Sequence, residues 1–182
     1  MGARFRHLRF DERGLSYAFV GVSFMTVFTA TTLAIDVGVY TAARNQAQRS
    51  AQAGALAGAA ALALSSDSNQ APVAVQRALE GAKANSVMGI QVSIQSSDVI
   101  VATDVGGQSR QVKVSVYRTS ERHNPVRTAM STVFGLDPID VRATATAEVL
   151  PLSPVDGVDD VTNENGGPAP LAAFPTVIRL VQ

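Results

Sequence analysis

Histidine, cysteine and grouped carboxylates supply most enzymatic and metal chemistry, and this sequence is short of all three. Its 182 residues include two histidines and no cysteine. Without cysteine there is no disulfide, thiolate metal site or thiol nucleophile. His7 and His123 stand apart, and no HExxH, GxSxG or phosphate-loop pattern surrounds either. His123 falls in Glu121-Arg122-His123-Asn124-Pro125, which reads as an exposed loop. Asp156, Asp159, Asp160 and Glu164 bring together carboxylates of the kind that bind calcium, but without the alternating spacing of an EF-hand loop. They read as a solvated acidic linker. Lys and Arg total 15 against 15 Asp and Glu, and from Asp36 onward the count is 11 against 13. Nucleic-acid binding, which needs a basic footprint, is therefore not expected. The residues point to a protein that is not an enzyme, with no metal, cofactor or small-molecule substrate.

The one charge cluster with a physical role is Arg4, Arg6, Arg9 and Arg13, and the element it flanks gives it that role. From Leu15 to Ile35 run 21 residues without Asp, Glu, Lys, Arg or His. As a helix they cover a hydrocarbon layer of roughly 30 Å. Ser16, Ser23, Thr26, Thr29, Thr31 and Thr32 dilute the run, yet hydroxyls that bond back to helix carbonyls are tolerated in lipid. The run is longer than the apolar region of a cleaved secretory signal, so it reads as a single-pass anchor. The arginines on its N-terminal side predict a cytoplasmic N-terminus, with the rest of the chain on the other side of the membrane.

Beyond the span, residues 42–63 contain 11 alanines among 22 residues, and no proline occurs before Pro72. Alanine has the highest helix propensity, so the span is expected to continue as one rod of roughly 75 Å, ending near Leu64. Small residues recur every four positions at Ala47, Ala51, Ala55, Ala59 and Ala63, with Gly54 and Gly58 on a neighbouring face and a separate row, Ala30, Ala34 and Gly38, along the membrane part and its end. Each glycine costs a helix interior about 1 kcal/mol relative to alanine. Close packing against another element would offset that cost, because small residues four apart let a second surface approach. The partner, the chain's own sheet or another subunit, stays open at this level.

Seven of the ten aromatic residues lie in the first 40 positions, so any core beyond them must be thin and built from Val, Ile, Leu and Ala. Pro72 to Glu80 reads as a second helix, capped by Asn69-Gln70 and stopped by a left-handed Asn85. Strand patterns follow: Ile90–Gln95, Asp98–Thr103, Val112–Tyr117 across an Asp104–Gly107 turn, and Val141–Val149. Pro125 to Phe134 reads as a short helix closed by Gly135. Leu171 to Val181 is an edge strand or a loose end. The expected fold class is α+β: a long N-terminal transmembrane-plus-stem helix carrying a small antiparallel-sheet head. Its parts are a basic leader (1–14), a span (15–35), an alanine-rich stem (36–64), a head (65–150) and a polar tail (151–182).

The residues also carry a family resemblance. Asp11-Glu12-Arg13-Gly14, the apolar helix, Ala34-Ile35-Asp36-Val37-Gly38 with Tyr40, Ala43-Arg44-Asn45-Gln46-Ala47-Gln48 and Ala55-Leu56-Ala57-Gly58-Ala59 resemble the N-terminal module of the TadE/TadG-like proteins of Tad (Flp) pilus assembly. Phe134-Gly135-Leu136-Asp137 and Val141–Glu148 are similar to a later strand of such proteins. The resemblance implies a pilin-like chain in the bacterial inner membrane with a periplasmic head, serving as a minor pilin or an accessory anchor. It implies other pilus-assembly proteins or pilin-like subunits as partners. It also marks Gly14 and Leu15 as the place where a prepilin peptidase would cut. Cleaved members carry glutamate at the fifth position after that glycine. Here the residue is Phe19, and Gln52 replaces a common aspartate, so the expectation is an uncleaved anchor. A tethered periplasmic binding module unrelated to pili is the alternative.

Overall fold

The computed structural model describes residues 12–64, 70–103, 110–151 and 176–181. The rod is present: α1 (Glu12–Leu64) is one helix of 53 residues. A second helix, α2 (Gln70–Lys83), lies against it. It does not end in a left-handed asparagine. The Asn85 side chain instead donates to the Gly81 carbonyl and its N–H to that of Ala82, closing the last turn with an ordinary backbone.

The Ile90–Gln95 alternation yields less strand than expected. Ser86–Val87 (β1) and Ile90–Gln91 (β2) form a two-residue hairpin through Met88 and Gly89, both at positive φ. Val92 and Ile94 continue inward without a ladder partner. The main sheet contains β3 (Val99–Thr103), β4 (Arg110–Arg118), β5 (Val141–Pro151) and β6 (Thr176–Val181), antiparallel in sequence order, with β6 taking the edge position. Pro125–Thr128 is not helical: Val126 bridges Ile139 in both directions, and the helix α3 is confined to Ala129–Val133. Both backbone groups of Val126 are committed to Ile139, so the helix begins only where Thr128 can cap it. Gly135 follows at φ 68°.

The leader up to Asp11, the Ser65–Ser68 stop, the Asn69 cap, the Asp104–Gly107 turn and the acidic stretch 156–164 lie outside the described residues.

Two layers result, the stem half of α1 with α2 over one face of the sheet. Strand period places Val112, Val114 and Val116 of β4, and Ala143, Ala145, Ala147 and Val149 of β5, on that face, all buried. Lys113 and Thr144 alternate outward and are exposed. Opposite the sheet, α1 buries Ala43, Ala47, Ala51, Ala55, Ala59 and Leu62, and α2 buries Ala74, Ala78 and Ala82. The core is thin, as the aromatic distribution requires. With so little area per side chain, its cohesion depends on how closely the backbones approach.

Candidate functional site

The surface that stands out on this chain is the first half of α1. Tyr17, Phe19, Val20, Val22, Phe24, Met25 and Val27 are all more than half exposed. Apolar side chains face outward all round the helix, so no polar face is left for water. The helix is long and apolar enough to cross a membrane. The hydroxyls of Thr26, Thr29, Thr31 and Thr32 each donate to the carbonyl four residues earlier, at 2.8–2.9 Å. These are the bonds that make threonine acceptable in such a helix.

The small-residue positions divide between the two halves of α1. Ala30, Ala34 and Gly38 stay exposed, and a methyl group added at Gly38 would touch nothing within 4 Å. Ala47, Ala51, Gly54, Ala55, Gly58 and Ala59 are buried, and the partner is the chain's own α2 and sheet. A Cβ at Gly54 would stand 2.9 Å from the Ala78 carbonyl oxygen; one at Gly58 would stand 2.8 Å from Val112 Cγ1 and 3.1 Å from the Ala74 carbonyl oxygen. Gly81 of α2 makes the reciprocal approach, where a Cβ would lie 2.8 Å from that of Ala57. Gly14 and Leu15 fall in the first turn of α1, and Phe19 projects outward.

Polar side chains tie the stem to the head. Gln46 Oε1 accepts from the Met88 N–H at 2.7 Å, Gln48 Nε2 donates to the Thr144 carbonyl at 3.1 Å, and Ser50 Oγ donates to the Ala82 carbonyl at 2.9 Å. Gln46 and Gln48 belong to the stretch that carries the family resemblance, and here that stretch aligns the helix on the hairpin and on β5.

Asp36, where the apolar run ends, has a structural role that sequence reasoning did not assign. Its side chain is buried, and Oδ1 and Oδ2 accept from the N–H groups of Ala129 and Met130 at 2.7 and 2.9 Å. A carboxylate suits the exposed donors at a helix start. Thr128 Oγ1 accepts from Ser131 N, and Ser131 Oγ accepts from Thr128 N, completing a reciprocal cap. The 125–140 loop is thereby pinned to α1, and Phe134 meets Phe28 edge-on, with ring centroids 6.3 Å apart. Asp36→Ala is expected to leave two amides without acceptors and to weaken the local structure by about 2–3 kcal/mol. Amide exchange should speed up at Thr128–Phe134 and not in β4 or β5; equal acceleration in the sheet would show Asp36 to be a general stability residue.

Two further polar centres hold the head. Arg118 is 1% exposed, and its guanidinium donates to the carbonyls of Asn124 and Val87, each at 2.6 Å, and of Pro125 at 3.3 Å. Burial away from water lowers its pKa from the usual arginine value. Arg122 forks onto both oxygens of the buried Asp98 at 2.6 Å and lies over the Tyr117 ring. The hydrogen bond to Asp98 raises the Arg122 pKa. Their only sequence signal was that both arginines flank the end of an alternating strand. His123 is exposed and left-handed at φ 54°, closing the short turn after β4.

Among the described residues, no group of three or more His, Asp or Glu could hold a metal ion. No curated protein and no solved structure matches the chain. A family model does match, over residues 16–61. The matched segment runs through the exposed apolar half of α1, Asp36 and the glutamine ties, and stops short of the similar stretch at 134–148. Over those residues the long helix of this chain is similar to the Tad family, TadE/G-like, of Flp pilus assembly.

Proposed function

We propose that the protein is a membrane-anchored structural component of Tad/Flp pilus assembly, acting through helix packing and protein contacts rather than catalysis. One observation carries the proposal. The segment that matches the pilus-assembly family includes the whole stretch from Tyr17 to Val37 whose apolar surface the chain leaves uncovered. In this reading residues 15–35 lie in the bacterial inner membrane with the N-terminus cytoplasmic, and the head projects into the periplasm. Ala30, Ala34 and Gly38 then form the small-residue row open to a neighbouring membrane helix, since the row further along is already occupied by α2 and the sheet. Phe19 in place of glutamate fits an uncleaved anchor, because such a glutamate would pair with a neighbouring subunit's freed amine.

The test is deletion in the bacterial host. Surface filaments should disappear and return with the full chain, but not with a secreted form consisting of residues 36–182. Intact mass should show the chain retained past Gly14. Normal filaments in the deletion strain would refute the pilus reading. A chain starting at Leu15 in sheared filaments would replace the anchor with a filament subunit.

A further inference from the structure

Between Arg127 and Asp137 lie nine residues, Thr128-Ala129-Met130-Ser131-Thr132-Val133-Phe134-Gly135-Leu136, with no ionisable group. Val133 and Leu136 are 60% and 56% exposed, and Phe134 is 41% exposed even with Phe28 against it. The loop is not slack, because its base is closed by paired bonds between Val126 and Ile139.

Position along α1 decides what this apolar tip faces. Phe28 precedes Ile35, the last residue of the uncharged run, by seven positions, which is roughly 10 Å of helix rise. Helix side chains tilt towards the N-terminus, which carries the Phe28 ring further into the span. A ring 6.3 Å from it therefore lies at a depth the hydrocarbon layer occupies. Lipid would also demand that the loop's backbone be satisfied without water. The N–H groups of Thr128, Ala129, Met130, Ser131, Thr132 and Phe134 all have partners within the chain, two of them the Asp36 carboxylate. A mostly apolar groove runs between the loop and α1, with Leu33, Val37, Met130, Leu136 and Ile139 on its walls beside the carboxylates of Asp36 and Asp137.

We propose that the 128–136 loop is a second membrane-contacting element, with Val133, Phe134 and Leu136 dipping into the acyl-chain region of the leaflet on the head side. The occupant is lipid, because the loop's apolar tip continues the apolar surface of α1. Two attachment points fix the tilt and height of the head over the membrane, where a single helix would leave it free to rotate.

The inference rests on the membrane-anchor reading, and the test separates the two. The chain has no tryptophan, so Phe134→Trp creates a single tryptophan, excited selectively over the tyrosines, in the full protein reconstituted in phosphatidylcholine–phosphatidylglycerol vesicles. Its emission should be blue-shifted, should lose most of its intensity when the lipids carry bromine near the head-group end of the acyl chains, and should resist aqueous iodide. Val133→Trp, at a more exposed position, should behave alike and guards against misfolding of the first variant. Ile100→Trp, on the outward face of β3, should be quenched by iodide alone. Phe24→Trp, near the middle of the span, reports the anchor with lipids brominated towards the ends of the acyl chains: if these do not quench it, the anchor reading fails. If Phe24→Trp is quenched by brominated lipid while both loop tryptophans respond only to iodide, the loop is in water and the inference is overturned. Loop tryptophans shielded from both quenchers would mean that protein covers the loop, a second copy or a partner, which overturns it equally.

Discussion

Gly58→Leu, alone or with Gly54→Leu, is expected to abolish cooperative folding of the head while leaving α1 helical in detergent. Already the first added carbon at Gly58 meets Val112 Cγ1 at 2.8 Å, the Ala74 carbonyl oxygen at 3.1 Å and the Ala78 Cβ at 3.1 Å. The valine can turn, but the carbonyl belongs to α2 and yields only if that helix moves off. Overpacking costs about 1–3 kcal/mol where neighbours can shift. Here a leucine at each site would pry α2 and β4 from the stem together, so the double variant should lose more than about 4 kcal/mol, a large share of a small domain's stability. Single Gly58→Ala sets helix propensity, a gain of about 1 kcal/mol, against the close contacts, and should still be net destabilising. Gly38→Ala, with nothing within 4 Å, should be neutral or stabilising. Thermal melts followed by near-ultraviolet circular dichroism check the series. A Gly58→Leu protein with an unchanged melt would mean that α2 does not sit on this face.

Arg118→Met should have the second-largest effect. Removing the guanidinium leaves the buried carbonyl of Val87 and the half-buried ones of Asn124 and Pro125 without their donor. Each abandoned buried acceptor costs about 1–3 kcal/mol. Relief of the desolvated charge returns part of that sum, since burying an ion is itself costly. The carbonyls stay behind unpaired, so loss outweighs relief and a net fall of about 3 kcal/mol is expected. Arg118→Lys should recover little, because one ammonium cannot reproduce the fork that spans three carbonyls. Amide exchange should localise the damage to the β1–β2 hairpin and to residues 119–126, which Arg118 joins. Wild-type stability in Arg118→Met would show the three carbonyls to be satisfied without it.

These two sites differ in how far the sequence announces them. Gly54 and Gly58 could be singled out in advance, because glycine in an alanine-rich helix carries a propensity cost that only close approach explains. Arg118 could not, because an arginine ending an alternating strand looks like any solvent-exposed residue until the chain has placed three carbonyls around it. Asp36 lies between these cases. It belongs to the motif behind the family resemblance, but its partners, Ala129 and Met130, are more than 90 positions away.

The sequence by itself determined what depends on local composition and period. An uncharged run of 21 residues and an alanine-rich continuation without proline make one long apolar-then-small helix whatever surrounds it. Strict alternation in Val112–Tyr117 and Val141–Val149 makes strands with one buried face. The lack of cysteine and the separation of its two histidines set the expectation of a non-enzymatic protein. Tertiary structure decided which surfaces meet. It covered the stem's small face with the chain's own α2 and sheet, cut the Ile90–Gln95 alternation to a two-residue strand for want of a ladder partner, and set the 128–136 loop beside Phe28. The physical reason is that periodicity states which residues of a segment share a face, whereas which distant segment covers that face depends on contacts between residues far apart in sequence, and these exist only once the chain has closed on itself.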